Sequence, residues 1–235
     1  MKYLFIIAIV AFSSAHCQTN NSIGHSKHKT VIELFTSEGC SSCPAAEQYT
    51  EELAKDTNII VLSYHVDYWN RLGWVDSFSN HSFSEKQYHY GELFHLSSVY
   101  TPQAVINGKA EAVGSNRKTI PQLIKSAAGF DNIISSVQTS FNNNMVSVNA
   151  VCNTKNIGLE FLLIQKNAST HILAGENNGS TLHHLNIVRQ SVQSKNVNSA
   201  QLNWKKNEDR RNYKIVVLAR DLNTYAIKDV TAIDL

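Results

Sequence analysis

The sequence predicts an α/β fold whose first half alternates strands with helices and whose second half is almost entirely β. Three observations predict it. A Cys-x-x-Cys pair, Cys40-Ser41-Ser42-Cys43, closely follows the apolar run Val31-Ile32-Glu33-Leu34-Phe35. From residue 30 to 130, apolar runs of strand length alternate with segments of helical period. Beyond Phe130 only short alternating segments with polar turns remain. With 43% hydrophobic and 17% charged residues over a length of 235, the chain can bury a core and has room for two ordinary domains, expected at 30–130 and 131–235.

Met1-Lys2 leads into the apolar stretch Leu4 to Phe12 and then Ser13, Ser14 and Ala15, the outline of a secretory signal over residues 1–17. The stretch is too short for a membrane span, which takes about 20 apolar residues, and no later segment supplies one. An exported chain, periplasmic or secreted, is therefore expected. Cleavage falls after Ala15 or after Cys17; lipidation of Cys17 is the alternative, and only that would tie the chain to a membrane. Residues 18–29 are polar and read as a flexible leader.

Val31 to Phe35 is apolar on both faces apart from Glu33, as in a covered sheet. Cys43 to Lys55 reads as a helix, with Pro44 in the first turn, Glu47 near the positive end, and Tyr49, Leu53 and Ala54 along one side. Ile59 to His65 is a second buried strand, and the aromatic stretch from Asp67 to Phe78 has no period and reads as an ordered loop. Ser82 to His95 carries Phe83, Gln87, Tyr90 and Phe94 at helical spacing. Thr101-Pro102 precedes a hairpin, Gln103–Ile106 and Lys109–Val113, turned at Asn107-Gly108. Asn116 to Gly129 closes the unit as a helix. This order, strand, helix, strand, helix, hairpin, helix, is the thioredoxin topology.

In the second half, 133–141, 145–152, 159–166, 201–205, 213–220 and 226–235 read as strands, which suggests an antiparallel, sandwich-like β domain. Val146, Val148, Ala150 and Cys152 share one strand face, so Cys152 reads as a small buried apolar residue. The 21 basic residues are balanced by 19 acidic ones and scattered, which argues against nucleic acid as a partner.

Cys40 and Cys43 at a strand-to-helix joint point to thiol–disulfide chemistry. The unpaired N–H groups and dipole of a helix start favour thiolate, and can lower a cysteine from about 8.5 to between roughly 3.5 and 7.5. Cys40 is the expected exposed nucleophile and Cys43, one turn inward, the resolving thiol. Zinc at the pair would need four ligands, and no second Cys pair or closely spaced His pair accompanies it in this half, so no metal or other cofactor is assigned. A structural staple across so short a loop would constrain the unfolded chain little. Ser41 and Ser42 are expected to border the substrate and to tune the pair weakly. Glu33, with burial raising its pKa, is a candidate proton acceptor when Cys43 attacks; the alternatives are that it faces solvent at the strand's edge or is paired structurally. Glu38 reads as a solvated loop residue. His65, Asp67 and Trp69 should emerge at the cysteine end of the sheet, Trp69 either lining a substrate groove or anchoring the loop. His183 and His184 are adjacent on an expected strand and point to opposite faces, a poor metal pair; the segment Gly175 to Arg189 reads as a structured turn.

The run Val31 to Pro44, the segment His65-Val66-Asp67-Tyr68-Trp69 with Leu72-Gly73-Trp74, and Ser98-Val99-Tyr100-Thr101-Pro102-Gln103 resemble a family of exported thioredoxin-like proteins known as domain of unknown function 1223. Gly175 to Arg189 resembles its C-terminal half; Ala45, where the family often has a second proline, departs from it. The resemblance implies a cis bond before Pro102 and a role for Thr101 in holding an extended substrate peptide by added-strand hydrogen bonds. The expected partners are protein thiols or disulfides and a redox partner protein. The rival is a non-catalytic module on the same frame that holds a metal ion or a protein partner.

Overall fold

A computed structural model describes residues 30–127, 129–142, 144–152, 154–194, 198–205 and 208–235, and 19–23 by backbone alone. The secretory-signal segment and the residues around Cys17 lie outside these. Within the expected leader, Thr19–Ile23 (β1) is a strand. The other elements are β2 (Thr30–Thr36), α1 (Cys43–Leu53), β3 (Ile59–His65), α2 (His81–Leu93), β4 (Gln103–Ile106), β5 (Ala110–Val113) and α3 (Thr119–Ala127). The second half adds β6 (Ile134–Asn142), β7 (Met145–Cys152), β8 (Ile157–His171), β9 (Thr181–Ser194), β10 (Ser199–Asn203), β11 (Tyr213–Asp221) and β12 (Ile227–Asp234).

These strands make a large eight-stranded sheet, ordered β12-β11-β8-β9-β3-β2-β4-β5, and a four-stranded one, ordered β1-β6-β7-β10. The segments 30–130 and 131–235 therefore share the large sheet, meeting where β9 lies parallel to β3. Only β6, β7 and β10 of the second half leave it. They pack against it in the sandwich-like manner expected, with Val146 and Val148 meeting Phe161, Leu163, Ile215 and Val217.

Alternation along the strands sets the layers. On β2, Ile32 and Leu34 face α1 and α3 with Ala46 and Ile120, whereas Val31 and Phe35 face α2 with Phe83 and Tyr90. On β8, Leu162 and Ile164 join the α2 core while Phe161 and Leu163 meet the small sheet. Both faces are covered, which is why these strands read as continuous apolar runs. The β4–β5 turn takes the positive φ values of a tight hairpin, 49° at Asn107 and 63° at Gly108. A Cβ on Gly108 would stand 2.7 Å from the carbonyl of Tyr225, so glycine is required there.

Beyond a strand at His183 and His184, the extent of β9 was not legible because its inward positions include His184 and Asn186, and Asn186 has a φ of 52°. Polar residues on the buried face erase the alternation that marks a strand.

Of the readings open for Glu33, the structurally paired one holds. Glu33 shares the α2 face with Val31 and Phe35 and lies in a buried quartet. Arg220 Nη2 donates to Glu33 at 2.6 Å and Arg220 Nε to Glu160 at 2.6 Å. Lys86 Nζ stands 2.7 Å from Glu160 and 3.2 Å from Glu33. Tyr90 donates to Glu33, and Ser191 to Glu160 at 2.7 Å. Burial pushes both carboxyls up, but Arg220 and Lys86 outweigh it and hold them below the ordinary range. Glu33 is thus an anion tied to two cations, not a carboxyl with a raised pKa awaiting a proton.

Two predictions follow from the quartet. Arg220→Met leaves two buried carboxylates facing one cation and should lower stability by about 3–5 kcal/mol. Urea unfolding checks this, and an unchanged midpoint would contradict it. The folded carboxyl pKa values lie below the unfolded ones. The quartet's contribution is therefore complete at neutral pH and falls as pH drops from about 4.3 through the folded values. Acid unfolding of wild type against Glu33→Gln should show this loss within that range and none at neutral pH.

Candidate functional site

β2 ends at Thr36, and a turn carries the chain through Ser37, Glu38 and Gly39 to Cys40, whose N–H donates to Ser37 O at 3.2 Å. Cys43 opens α1, with Pro44 in the first turn, and is joined to Cys40 by a disulfide with a Cα–Cα distance of 5.4 Å. Ser42 precedes the helix without a side-chain cap, and its Oγ stands 3.4 Å from Cys40 Sγ. Ser41 and Ser42 are exposed. Cys40, expected to be open, is only 1% exposed, and Cys43 is fully buried.

The second half of the chain supplies the cover. Asn177, in the connection between β8 and β9, donates from Nδ2 to the carbonyls of Glu38 at 2.8 Å and Cys40 at 3.0 Å. Ser41 N donates to the neighbouring Glu176 carboxylate at 3.0 Å. These three bonds span more than 130 residues of chain.

The Thr101–Pro102 bond is cis, with Pro102 buried and Thr101 half-buried. Trp69 Nε1 donates to Thr101 Oγ1 at 2.8 Å, and a Cβ on Gly39 would come within 3.1 Å of Trp69 Cβ. Trp69 therefore joins the cysteine turn to the Thr101-Pro102 loop and also packs on the core, as an anchor does.

Beneath the turn lies a second polar cluster, on the opposite face of β2 from Glu33. His65, the last residue of β3, bonds Asp76 through Nδ1 at 2.7 Å, and Asp76 also accepts from Glu38 N at 2.9 Å. Glu47, one turn along α1 from Cys43, accepts from Thr36 Oγ1 at 2.5 Å and meets His184 Nδ1 at 2.6 Å. His184 Nε2 stands 3.3 Å from Glu38 Oε1. Glu38, expected in solvent, is fully buried and takes the Trp74 indole N–H at 2.8 Å. Burial pushes the His184 imidazole down, but the Glu38 and Glu47 carboxylates raise it to about 10. Burial raises Asp76, yet His65 outweighs it and draws the carboxyl below its ordinary value.

The cysteines, Ser41, Ser42, Trp69, Thr101 and Pro102 thus gather around one turn, and Glu33 does not join them. Sequence reasoning missed Glu38, Glu47, Asp76, His184, Glu176 and Asn177 as a group. Its one usable signal was the family-like segment Gly175 to Arg189, which contains three of them.

Residues 31–220 match the model of the family described as a protein of unknown function, DUF1223, and the chain belongs to that family. Among curated proteins, none matches this sequence. A crystal structure of a protein from Agrobacterium tumefaciens is similar over 88% of this chain and 94% of that one, with a TM-score of 0.65 and 23% identity, a likeness of fold.

Loss of the Asn177 bonds should open the cover. At about 1 kcal/mol for each of the two, Asn177→Ala should make reduced Cys40 react with a small alkylating thiol reagent roughly thirtyfold faster. Stopped-flow alkylation measures this, and an unchanged rate would contradict the covering role.

Proposed function

We propose that this DUF1223 protein is an exported thiol–disulfide oxidoreductase with a thioredoxin-like N-terminal unit. The reading is carried by one observation, the disulfide between Cys40 and Cys43 at the joint of β2 and α1, in a turn that Trp69 links to the Thr101-Pro102 loop. The parallel β2–β3 pair, the antiparallel β4–β5 hairpin and helices on both faces support the thioredoxin-like comparison.

In the reducing direction, the Cys40 thiolate attacks one sulfur of a substrate disulfide, forming a mixed disulfide and expelling the other substrate sulfur as thiolate. Cys43, deprotonated, then attacks Cys40 Sγ. The Cys40–Cys43 bond forms and the second substrate thiolate leaves, so two electrons pass from the dithiol to the substrate. Oxidation of a substrate dithiol runs through the same steps in reverse. The uncapped start of α1 favours the attacking thiolate. The backbone at Thr101 is the place for an extended substrate segment to add as a strand, and Trp69 borders it. Export and a protein redox partner complete the reading.

The burial of Cys40 favours a second reading, a binding module on the same frame that does not turn over. The two separate on exchange with a peptide disulfide. Cys40→Ser should fall to the uncatalysed rate, and Cys43→Ser should accumulate a mixed disulfide. Full exchange by Cys40→Ser would overturn the oxidoreductase reading.

A further inference from the structure

The buried cluster under the cysteine turn carries more negative charge than its neighbours balance. Glu38, Glu47 and Asp76 converge there on two imidazoles, and among the described residues no Lys or Arg is ion-paired to any of the three. His65 Nε2, fully buried, has no partner, and Glu38 Oε1 and His184 Nε2 meet only each other, at 3.3 Å. An orphaned buried polar atom costs about 1–3 kcal/mol and calls for a cause.

We infer that this cluster is a binding site for a first-row divalent cation, with Zn2+ the best match. One donor atom from each of Glu47, His65 and His184 lies within 4.8 Å of the other two, a spread that a single ion can draw together. His65 is already held as a metal-bound histidine is: its Nδ1 bonds the Asp76 carboxylate at 2.7 Å, which leaves Nε2 free to ligate. Thr36 Oγ1 fixes one oxygen of Glu47 at 2.5 Å. Glu38 adds a further carboxylate beside His184, its Oε1 3.3 Å from Nε2. Two imidazoles with carboxylates suit zinc better than the all-oxygen shells of calcium or magnesium. A divalent ion would offset carboxylate charge that no Lys or Arg balances and give His65 Nε2 a partner.

The site needs no thiol, so it stands or falls apart from the redox reading. The test uses full-length mature protein with Cys40–Cys43 oxidised, stripped by chelator and titrated with Zn2+ against a chromophoric competitor. One Zn2+ per chain is expected. His65→Gln and His184→Gln should each weaken binding by at least about 100-fold. The exposed-face change His183→Gln and the double change Cys40→Ser, Cys43→Ser should leave binding as it was. Absence of stoichiometric binding, or equal binding by His184→Gln judged folded by circular dichroism, would overturn the site. Should both histidine variants unfold, Co2+ bound to the wild type decides. Ligand-field bands without sulfur charge transfer support the site, and no such bands refute it.

Discussion

The parallel contact of β9 with β3 is the constraint on which the rest of the structure depends. Ser63 pairs with Ile187, and the Ser63 hydroxyl donates to Leu185 O at 2.8 Å. Without β9, β3 would be an open sheet edge with unpaired backbone groups. With it, the second half of the chain extends the sheet of the first. The start of β9 then brings His184 against α1, and the preceding connection sets Glu176 and Asn177 over Cys40. On the other face, β8 and β11 deliver Glu160 and Arg220 to Glu33 on β2.

Two buried polar clusters flank β2, and their accounts of charge differ. The Glu33, Glu160, Lys86 and Arg220 quartet balances two carboxylates against two cations, with Tyr90 and Ser191 completing its hydrogen bonds. Such a closed set locks neighbouring elements in register and has no free valence for chemistry. The cluster below Cys40 has three carboxylates, two histidines and, in His65 Nε2, a buried nitrogen without a partner. Incomplete satisfaction of that kind marks places where a fold serves something other than its own stability.

The strands and helices of residues 30–130 were legible because both faces of each strand are apolar and each helix keeps its period. The turn at Asn107-Gly108 was legible from local chemistry, and the cis bond before Pro102 from the family resemblance. Three things were not. Glu33 and Glu38 sit in short stretches where strand parity and a distant partner decide whether a carboxylate is solvated, paired or orphaned. The extent of β9 hid because His184 and Asn186 occupy inward positions. The joining of Glu47, His65 and His184 depends on pairing between segments more than 100 residues apart, and no spacing rule encodes that. For the same reason the burial of Cys40 beneath Asn177 could not be foreseen.

Whether Cys40 and Cys43 exchange electrons or merely close a turn is decided by their equilibrium reduction potential. Titrating the full-length protein against graded dithiol and glutathione couples, with the thiols trapped and counted, yields that value. A reversible two-electron transition between roughly −270 and −120 mV is predicted, the range of proteins that trade disulfides. A potential well below about −300 mV, or a pair that stays oxidised throughout, would mark a structural bridge and contradict the redox assignment.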